Sequence, residues 1–160
     1  LVAQGEAPWN QLNWHRSDAY ALIRILRQHT AGGRVLALSP GIAPIYPALN
    51  YAGARMTLRA MNIWLLEGVY RDCPAGDVRY RTPSQMAPPE LFLYQSVAED
   101  FARGPPDTVV VDSFTPIPDC GGVAFDLIAY FSRNSLFAEN WRNYIEVGRH
   151  GRFTVYARRP

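Results

Sequence analysis

The sequence has no lysine, and all sixteen basic residues among its 160 are arginine. The formal net charge is only +2, which is too small to indicate nucleic acid as a partner. No apolar run reaches the roughly 18–20 residues that a helix needs to cross a bilayer, so the chain itself is not predicted to span a membrane. The length suits one domain with a real hydrophobic core.

Signatures of cofactor binding and catalysis are also missing. The loop after the first predicted strand has neither the G-x-G-x-x-G nor the Walker spacing, so no cofactor is expected. No G-x-S-x-G is present, and a triad of Ser39 with Asp112 would need a histidine. The three histidines lie near predicted helix ends or in a turn, which disfavours a triad: His15, His29 and His150. No cluster of histidines and carboxylates has metal-site spacing, so neither a catalytic residue nor a metal ligand is predicted.

Cysteine is scarce, with Cys73 and Cys120 as the two examples, both in loop-like contexts. In an oxidising compartment the two could form a disulfide, and otherwise they would be free thiols. Two distant cysteines without a nearby histidine have poor spacing for a metal site. The sequence leaves the disulfide and the free thiols as open alternatives.

The hydrophobic pattern predicts strands and helices in alternation. An apolar run between breakers predicts a buried strand over 34–39. The β-branched run at 108–111 predicts another strand within 107–112, buried on both faces. Period-two alternation predicts a further strand over 55–60. Helices are predicted after Ser17, over 62–70, from Pro88, around 124–131 and from Asn134, and a hairpin is predicted over 144–157.

This order predicts a three-layer α/β fold with a mostly parallel, Rossmann-like sheet, helices on both faces and a C-terminal antiparallel hairpin. We expect a single domain over 1–160. Residues 1–15 are expected to be irregular, and 71–89 to form a long surface loop.

Polar and aromatic side chains concentrate just after the first predicted strand, where an open α/β sheet usually binds ligands. Tyrosine, asparagine and arginine suit a sugar- or phosphate-binding surface, through stacking and forked hydrogen bonds. Alternatively, the tyrosines pack and the arginines pair with Glu67 or Asp112. Asp112 either contacts a ligand or caps the next loop. The candidate ligand-binding residues are Ser39, Tyr46, Asn50, Tyr51, Arg55, Arg59 and Asp112.

Three blocks, about two thirds of the chain, resemble one family. The first comprises Leu36–Ser39, Tyr46–Arg55, Arg59 and Trp64–Leu66. The second is Pro106–Asp112. The third comprises Ile128–Ser132, Phe137, Trp141, Tyr144 and Val155–Arg158. They are similar to the C-terminal soluble region of bacterial multi-pass glycosyltransferases of the family 39 type, which resemble dolichyl-phosphate-mannose protein mannosyltransferases and belong to the GT-C membrane class.

The resemblance implies that the parent is an integral membrane enzyme that moves a sugar from a polyprenyl-phosphate donor to an acceptor outside the cytoplasm. This chain, which starts at Leu1, would be a piece of that longer protein, its domain on the periplasmic side of the bacterial inner membrane. Its partners would be the membrane-embedded part of the same polypeptide and a lipid-linked sugar or glycan acceptor. In such enzymes the catalytic acid lies on a loop between early membrane helices. That region is absent here, so the resemblance implies a non-catalytic accessory or binding domain.

Two other hypotheses come from the residues themselves. The chain could be a free-standing small-molecule-binding α/β enzyme, with a pocket at the carboxyl ends of strands 34–39 and 107–112. It could instead be a protein-interaction module that uses the edge of the terminal hairpin and the arginine-rich segment 71–81.

Overall fold

The fold is built around a five-stranded mixed sheet. The computed structural model describes residues 17–30, 33–74, 79–114, 116–119 and 123–160. Its strands are β1 (Arg34–Leu38), β2 (Arg55–Met56), β3 (Thr108–Asp112), β4 (Tyr144–His150) and β5 (Phe153–Arg158). They lie in the order β2-β1-β3-β5-β4. The pairs β1–β2 and β1–β3 are parallel, whereas β3–β5 and β4–β5 are antiparallel.

Six α-helices accompany this sheet in the described ranges: α1 (Asp18–His29), α2 (Ile45–Ala52), α3 (Leu65–Val69), α4 (Pro88–Arg103), α5 (Leu127–Phe131) and α6 (Ser135–Trp141). Local chemistry sets several of their ends. The side chains of Ser17, Asp126 and Asn134 each accept a backbone N–H at the start of α1, α5 and α6. Gly53 ends α2 in the left-handed region, with φ of 67°, which glycine adopts without strain.

The core is divided between the two faces of the sheet, because alternate residues of a strand point to opposite sides. Leu36 and Leu38 join an aromatic-rich cluster with α4, α5 and α6, while Val35 and Ala37 join a smaller cluster with α1 and α2. Strand β3 is buried along its whole length, as the sequence predicted. The fully buried rings of the larger cluster are Tyr70, Phe101, Tyr130, Phe131 and Phe137.

The mixed α/β prediction and the terminal hairpin are confirmed, but some elements differ from the predicted ones. Strand β2 is only two residues long, where a strand over 55–60 was predicted. The alternation itself is correct, since Met56, Leu58 and Ala60 all pack on the core. The strand stops because the backbone N–H of Arg59 donates to the Asp100 carboxylate on α4, 2.8 Å away, and not to a strand.

The segment 71–89 is less of a surface excursion than expected. Its described part holds a 3₁₀ turn, Pro83–Gln85, and the buried Met86. Arg81 points inward, with its guanidinium over the Tyr70 ring and 3.5 Å from the buried Glu90 carboxylate. This inward placement removes Arg81 from the arginine-rich surface that the interaction-module hypothesis invoked.

Two further sequence expectations concern the cysteines and the membrane. Cys73 is disulfide-bonded. Cys120 lies outside the described residues, as does the segment 1–15, so the pairing of the two cysteines and the irregular N-terminal segment stay predictions. Among the helices of the described ranges, none combines the length and the apolarity needed to cross a bilayer.

Candidate functional site

The carboxyl ends of β1 and β3 bring Ser39 and Asp112 together. These strands are parallel neighbours with Leu38 opposite Val111, so the residues that follow meet at one edge of the sheet. The Ser39 hydroxyl donates to Asp112 Oδ2 at 2.9 Å, and both side chains are buried. The structure thus brings together two of the candidate ligand-binding residues, and their role in binding stays a prediction.

The second oxygen of Asp112 is also engaged. Asp112 Oδ1 accepts the backbone N–H of Phe114 at 3.0 Å and lies 3.1 Å from Nε of Arg152. Arg152 belongs to the turn between β4 and β5, and its guanidinium lies over the rings of Phe114 and Phe153. The carbonyl of Arg152 accepts both the N–H and the hydroxyl of Ser113. The Asp112 carboxylate thus both caps its own loop and fastens the hairpin turn to β3.

Burial governs the electrostatics of this edge. Desolvation raises the pKa of Asp112 above its ordinary value, and the hydrogen bonds from Ser39 and Phe114 and the charge of Arg152 offset only part of that rise. Asp112 is 1% exposed, so a ligand could not reach its carboxylate without moving Arg152 or the following loop. The arrangement is that of a closed structural network.

A shallow depression of about 380 Å³ does lie next to this network, between the start of α1 and the hairpin turn. Arg152 and Phe153 line it, together with Asp18 and Pro44, but neither Ser39 nor Asp112 does. The small-molecule hypothesis requires a pocket that exposes Ser39 and Asp112, and this depression exposes neither of them.

No nucleophile triad is present in the described ranges. His150 Nε2 lies 3.2 Å from Asp18 Oδ1, at the start of α1, and so is engaged away from Ser39. His29 is an exposed residue at the end of α1, and His15 lies outside the described residues. The same ranges contain no group of three or more histidines, cysteines or carboxylates that could hold a metal ion.

The three residues predicted on the segment after β1 lie on α2. Tyr46 is half-buried against the smaller core cluster, and burial raises the pKa of its hydroxyl. Asn50 and Tyr51 are exposed, and the Tyr51 carbonyl accepts a hydrogen bond from Arg27 at 2.8 Å. No hydrogen bond in the described structure links Tyr46 or Asn50 to the pair of Ser39 and Asp112. The single constellation that the sequence predicted is thus divided.

Arg55 and Arg59 lie in a different place, beside the free edge of β2. Arg59 donates from Nε and Nη2 to the Asp100 carboxylate, with contacts as short as 2.7 Å, and Nη2 also reaches Glu99 at 2.9 Å. The alternative pairing of Arg59 with Glu67 or Asp112 was wrong, because its carboxylate partners, Glu99 and Asp100, lie on α4. Both arginines line an open groove of about 490 Å³.

A second buried polar cluster escaped the sequence analysis. Glu90, in the first turn of α4, is fully buried, and its Oε1 accepts the Tyr130 hydroxyl at 3.0 Å. Among the described residues its Oε2 has no hydrogen-bond partner, but it lies 3.5 Å from Nη1 of Arg81, whose positive charge stabilises it. Because the cluster lies within the larger core, it stabilises the packing of α4 against α5 and the 3₁₀ segment.

Several exposed apolar side chains lie on the loops that follow β1, β2 and β3. These side chains form what we call the apolar edge: Ile42, Met61, Trp64 and Phe114, between 49% and 58% exposed. A hydrogen bond from Ile63 N–H to the Ser39 carbonyl, at 3.1 Å, holds the second of these loops against the end of β1. The same end of the sheet therefore combines a closed polar interior with an apolar exterior.

Arg152 and Asp100, which bind two of the candidate site residues, were also missed by sequence reasoning. Arg152 gave no local signal, because its role depends on β5 lying beside β3. Asp100 did give one, as an acid among the apolar positions of α4, which indicates a buried partner. No protein-family model matches the sequence, and no curated protein matches it.

Proposed function

We propose that the chain is a non-catalytic accessory domain of a membrane glycosyltransferase that uses a polyprenyl-phosphate sugar, on the periplasmic side of the bacterial inner membrane. The family comes from the sequence resemblance. The observation that carries the non-catalytic role is the closed network of Ser39, Asp112 and Arg152. At the edge where an α/β enzyme binds its substrate, these polar groups bind one another.

The apolar edge supports a docking role for the same end of the sheet. Single exposed apolar residues are ordinary on a protein surface, but four large ones on loops at one edge indicate a contact. Tryptophan is also enriched where proteins meet the membrane interface. We infer that the occupant is the membrane-embedded part of the same polypeptide, and that a lipid-linked sugar or glycan acceptor passes close to this contact.

The finer description of the fold is part of the proposal. A three-layer, Rossmann-like arrangement is supported by the parallel strands β2, β1 and β3 and by the division of the core between the two faces of the sheet. In that arrangement the apolar edge occupies the position that binds ligands in enzymes of this architecture.

The alternative function is a free-standing small-molecule enzyme with its site at the same strand ends. It requires Ser39 and Asp112 to be accessible, whereas both are buried and already bonded. The protein-interaction hypothesis retains the outer edge of β4, but its arginine-rich segment has Arg81 directed into the core. Neither alternative accounts for the apolar edge.

A turnover assay tests the non-catalytic role. The purified chain is incubated with a radiolabelled polyprenyl-phosphate hexose and a peptide acceptor, and both transfer and hydrolysis are measured. The proposal predicts turnover equal to the blank for the wild type and for Asp112→Asn. Turnover in the wild type that Asp112→Asn abolishes would overturn the proposal in favour of the small-molecule enzyme.

The coding sequence around the chain gives an independent check of the parent. The proposal expects several apolar segments of about 18–20 residues upstream, each long enough to cross a bilayer. A start codon within a few residues of Leu1 would contradict the assignment to a multi-pass membrane enzyme.

A further inference from the structure

The groove beside β2 concentrates positive charge along the open edge of the sheet. Four arginines line it: Arg34, Arg55, Arg59 and Arg103. Arg34 and Arg55 are the first residues of two parallel neighbours and stand opposite each other, and Arg103 is the last residue of α4. Sixteen arginines are scattered along the sequence, but the fold gathers these four around one opening.

The arginines divide into two that are held and two that are available. Arg59 is fixed by Asp100 and Glu99, and Arg34 donates to the Pro105 carbonyl at 3.2 Å. Arg55 and Arg103 are exposed, and the described structure gives neither side chain a hydrogen bond or an ion pair. Their charges therefore face the groove without a described counter-ion.

The acidic residues near the groove are already engaged. Asp100 and Glu99 bind Arg59, and Asp107 accepts the backbone N–H of Arg34 at 2.7 Å. The pair of Arg59 with Asp100 also holds the Arg59 guanidinium in one orientation, since the carboxylate binds it through two nitrogens and binds its backbone N–H as well. The groove thus has two held arginines, Arg34 and Arg59, and two available ones.

The floor of the groove suits a ligand larger than a single ion. Met56 and Leu58 contribute apolar surface. The backbone N–H groups of Arg55 and Thr57 donate to Gly33, just before β1, and to Val35 of β1. Met56 between them therefore directs its own N–H and C=O to the open edge of the sheet. A volume of about 490 Å³ lies within the range of small-molecule sites.

We propose that this groove binds a soluble phosphate ester, with the phosphate between Arg55 and Arg103 and the body of the molecule over Met56 and Leu58. Forked guanidinium groups match phosphate oxygens in geometry and charge. The phosphate could belong to a free phosphorylated molecule or to a lipid headgroup. The soluble source is favoured because Arg55 and Arg103 lie at the amino ends of β1 and β2, while the apolar edge is at the opposite ends of the parallel strands. The inference does not depend on the assignment to a glycosyltransferase.

Titration with inorganic pyrophosphate tests the groove. Binding to the full 160-residue chain is measured by calorimetry at low salt, and the affected backbone amides are located by NMR. The double variant Arg55→Gln/Arg103→Gln should weaken binding about tenfold or more, since it removes both of the charged donors that would hold the phosphate. Both residues are exposed and have no described partner, so the thermal midpoint of the double variant should equal that of the wild type.

A matched control separates a site from general charge attraction. Arg24→Gln/Arg142→Gln removes the same charge from two exposed arginines that do not line the groove. Its affinity should stay within about threefold of the wild type, because screening weakens distant charges. An equal loss in both double variants, or the absence of pyrophosphate binding to the wild type, would overturn the proposal.

A vesicle arm separates the two phosphate sources. Co-sedimentation with phosphatidylglycerol-containing vesicles should be the same for the wild type and for the groove variant. A loss of sedimentation in Arg55→Gln/Arg103→Gln but not in the control variant would assign the groove to a lipid headgroup and overturn the soluble ligand.

Discussion

Arg152 Nε lies 3.1 Å from Asp112 Oδ1, and this contact joins the parallel half of the sheet to its antiparallel half. Asp112 ends β3, the last strand of the parallel half, and Arg152 forms the turn that brings β5 beside it. The partial exposure of Arg152 limits the energy of the pair, but the burial of Asp112 makes its hydrogen bonds costly to lose. We attribute a structural role to the acid on this basis.

The protonation of Asp112 provides the first prediction. Burial raises the pKa of Asp112 above the ordinary 3.8, and Ser39 and Arg152 each lower it. Both Arg152→Ala and Ser39→Ala should therefore raise this pKa further, as measured by the ¹³C shift of the carboxyl carbon during an NMR titration. A fall in the titration midpoint in either variant would show that the removed side chain does not lower the pKa of Asp112.

The stability of Asp112→Asn is the second prediction. At neutral pH the change should lower the free energy of unfolding by about 2 kcal/mol, because it weakens the contact with Arg152 and gives Ser39 a different partner. Urea unfolding measures the loss, with the exposed Asp72→Asn as the matched control, for which a change below about 0.5 kcal/mol is expected.

The pH dependence of that loss follows from the raised pKa. A folded-state pKa above 3.8 means that the native protein takes up a proton before the unfolded chain does as the pH falls. The stabilisation that comes from this proton is complete below the pKa that Asp112 has in the unfolded chain. It is lost as the pH rises through the pKa that Asp112 has in the folded protein. The deficit of Asp112→Asn should therefore be larger at pH 4 than at pH 7, and the reverse order would contradict the direction of the shift.

Removal of the Tyr130 hydroxyl is the third prediction. Tyr130→Phe leaves Oε1 of the buried Glu90 without its donor, so the free energy of unfolding should fall by about 1–3 kcal/mol. Tyr46→Phe removes a hydroxyl from a half-buried ring that has no described hydrogen bond, and should change stability by less than about 0.5 kcal/mol. Equal effects in the two variants would show that the bond to Glu90 contributes nothing.

Arg59 provides the fourth prediction. Arg59→Gln should lower the thermal midpoint, because Asp100 is buried and loses a partner that binds it through two nitrogens. Arg55→Gln is the matched control, because Arg55 is exposed and points to the same side of this extended segment as Arg59. It should leave the thermal midpoint unchanged. If both variants melt at the same temperature as the wild type, the pair of Arg59 with Asp100 is not a constraint on β2.

The sequence was sufficient to predict those strands and helix ends that are determined by neighbouring residues. The β-branched run at 108–111 predicted β3, and Ser17 and Asn134 predicted the starts of two helices. The sequence indicated no more than one helical turn over 47–51 for α2, because Pro44 lies at its N-cap and Pro47 in its first turn. Elements set by local hydrogen bonds and side-chain periodicity are readable without the rest of the fold.

The candidate site was harder to predict because it depends on strand order. The sequence did not specify that β5 pairs with β3, so nothing placed Arg152 next to Asp112. The partner of Arg59 lies on α4, far along the chain, and the nearer acid Glu67 was a reasonable but wrong candidate. Contacts between distant segments carry little local signal.

The most direct test of the accessory role is photo-crosslinking from the apolar edge in the intact protein in its membrane. A photoreactive amino acid replaces Trp64, and in a control it replaces the exposed Glu139 on α6. The account predicts crosslinks from position 64 to membrane-embedded segments of the same polypeptide, and none from position 139. Crosslinks from position 64 only to soluble proteins, or equal crosslinking from both positions, would contradict it.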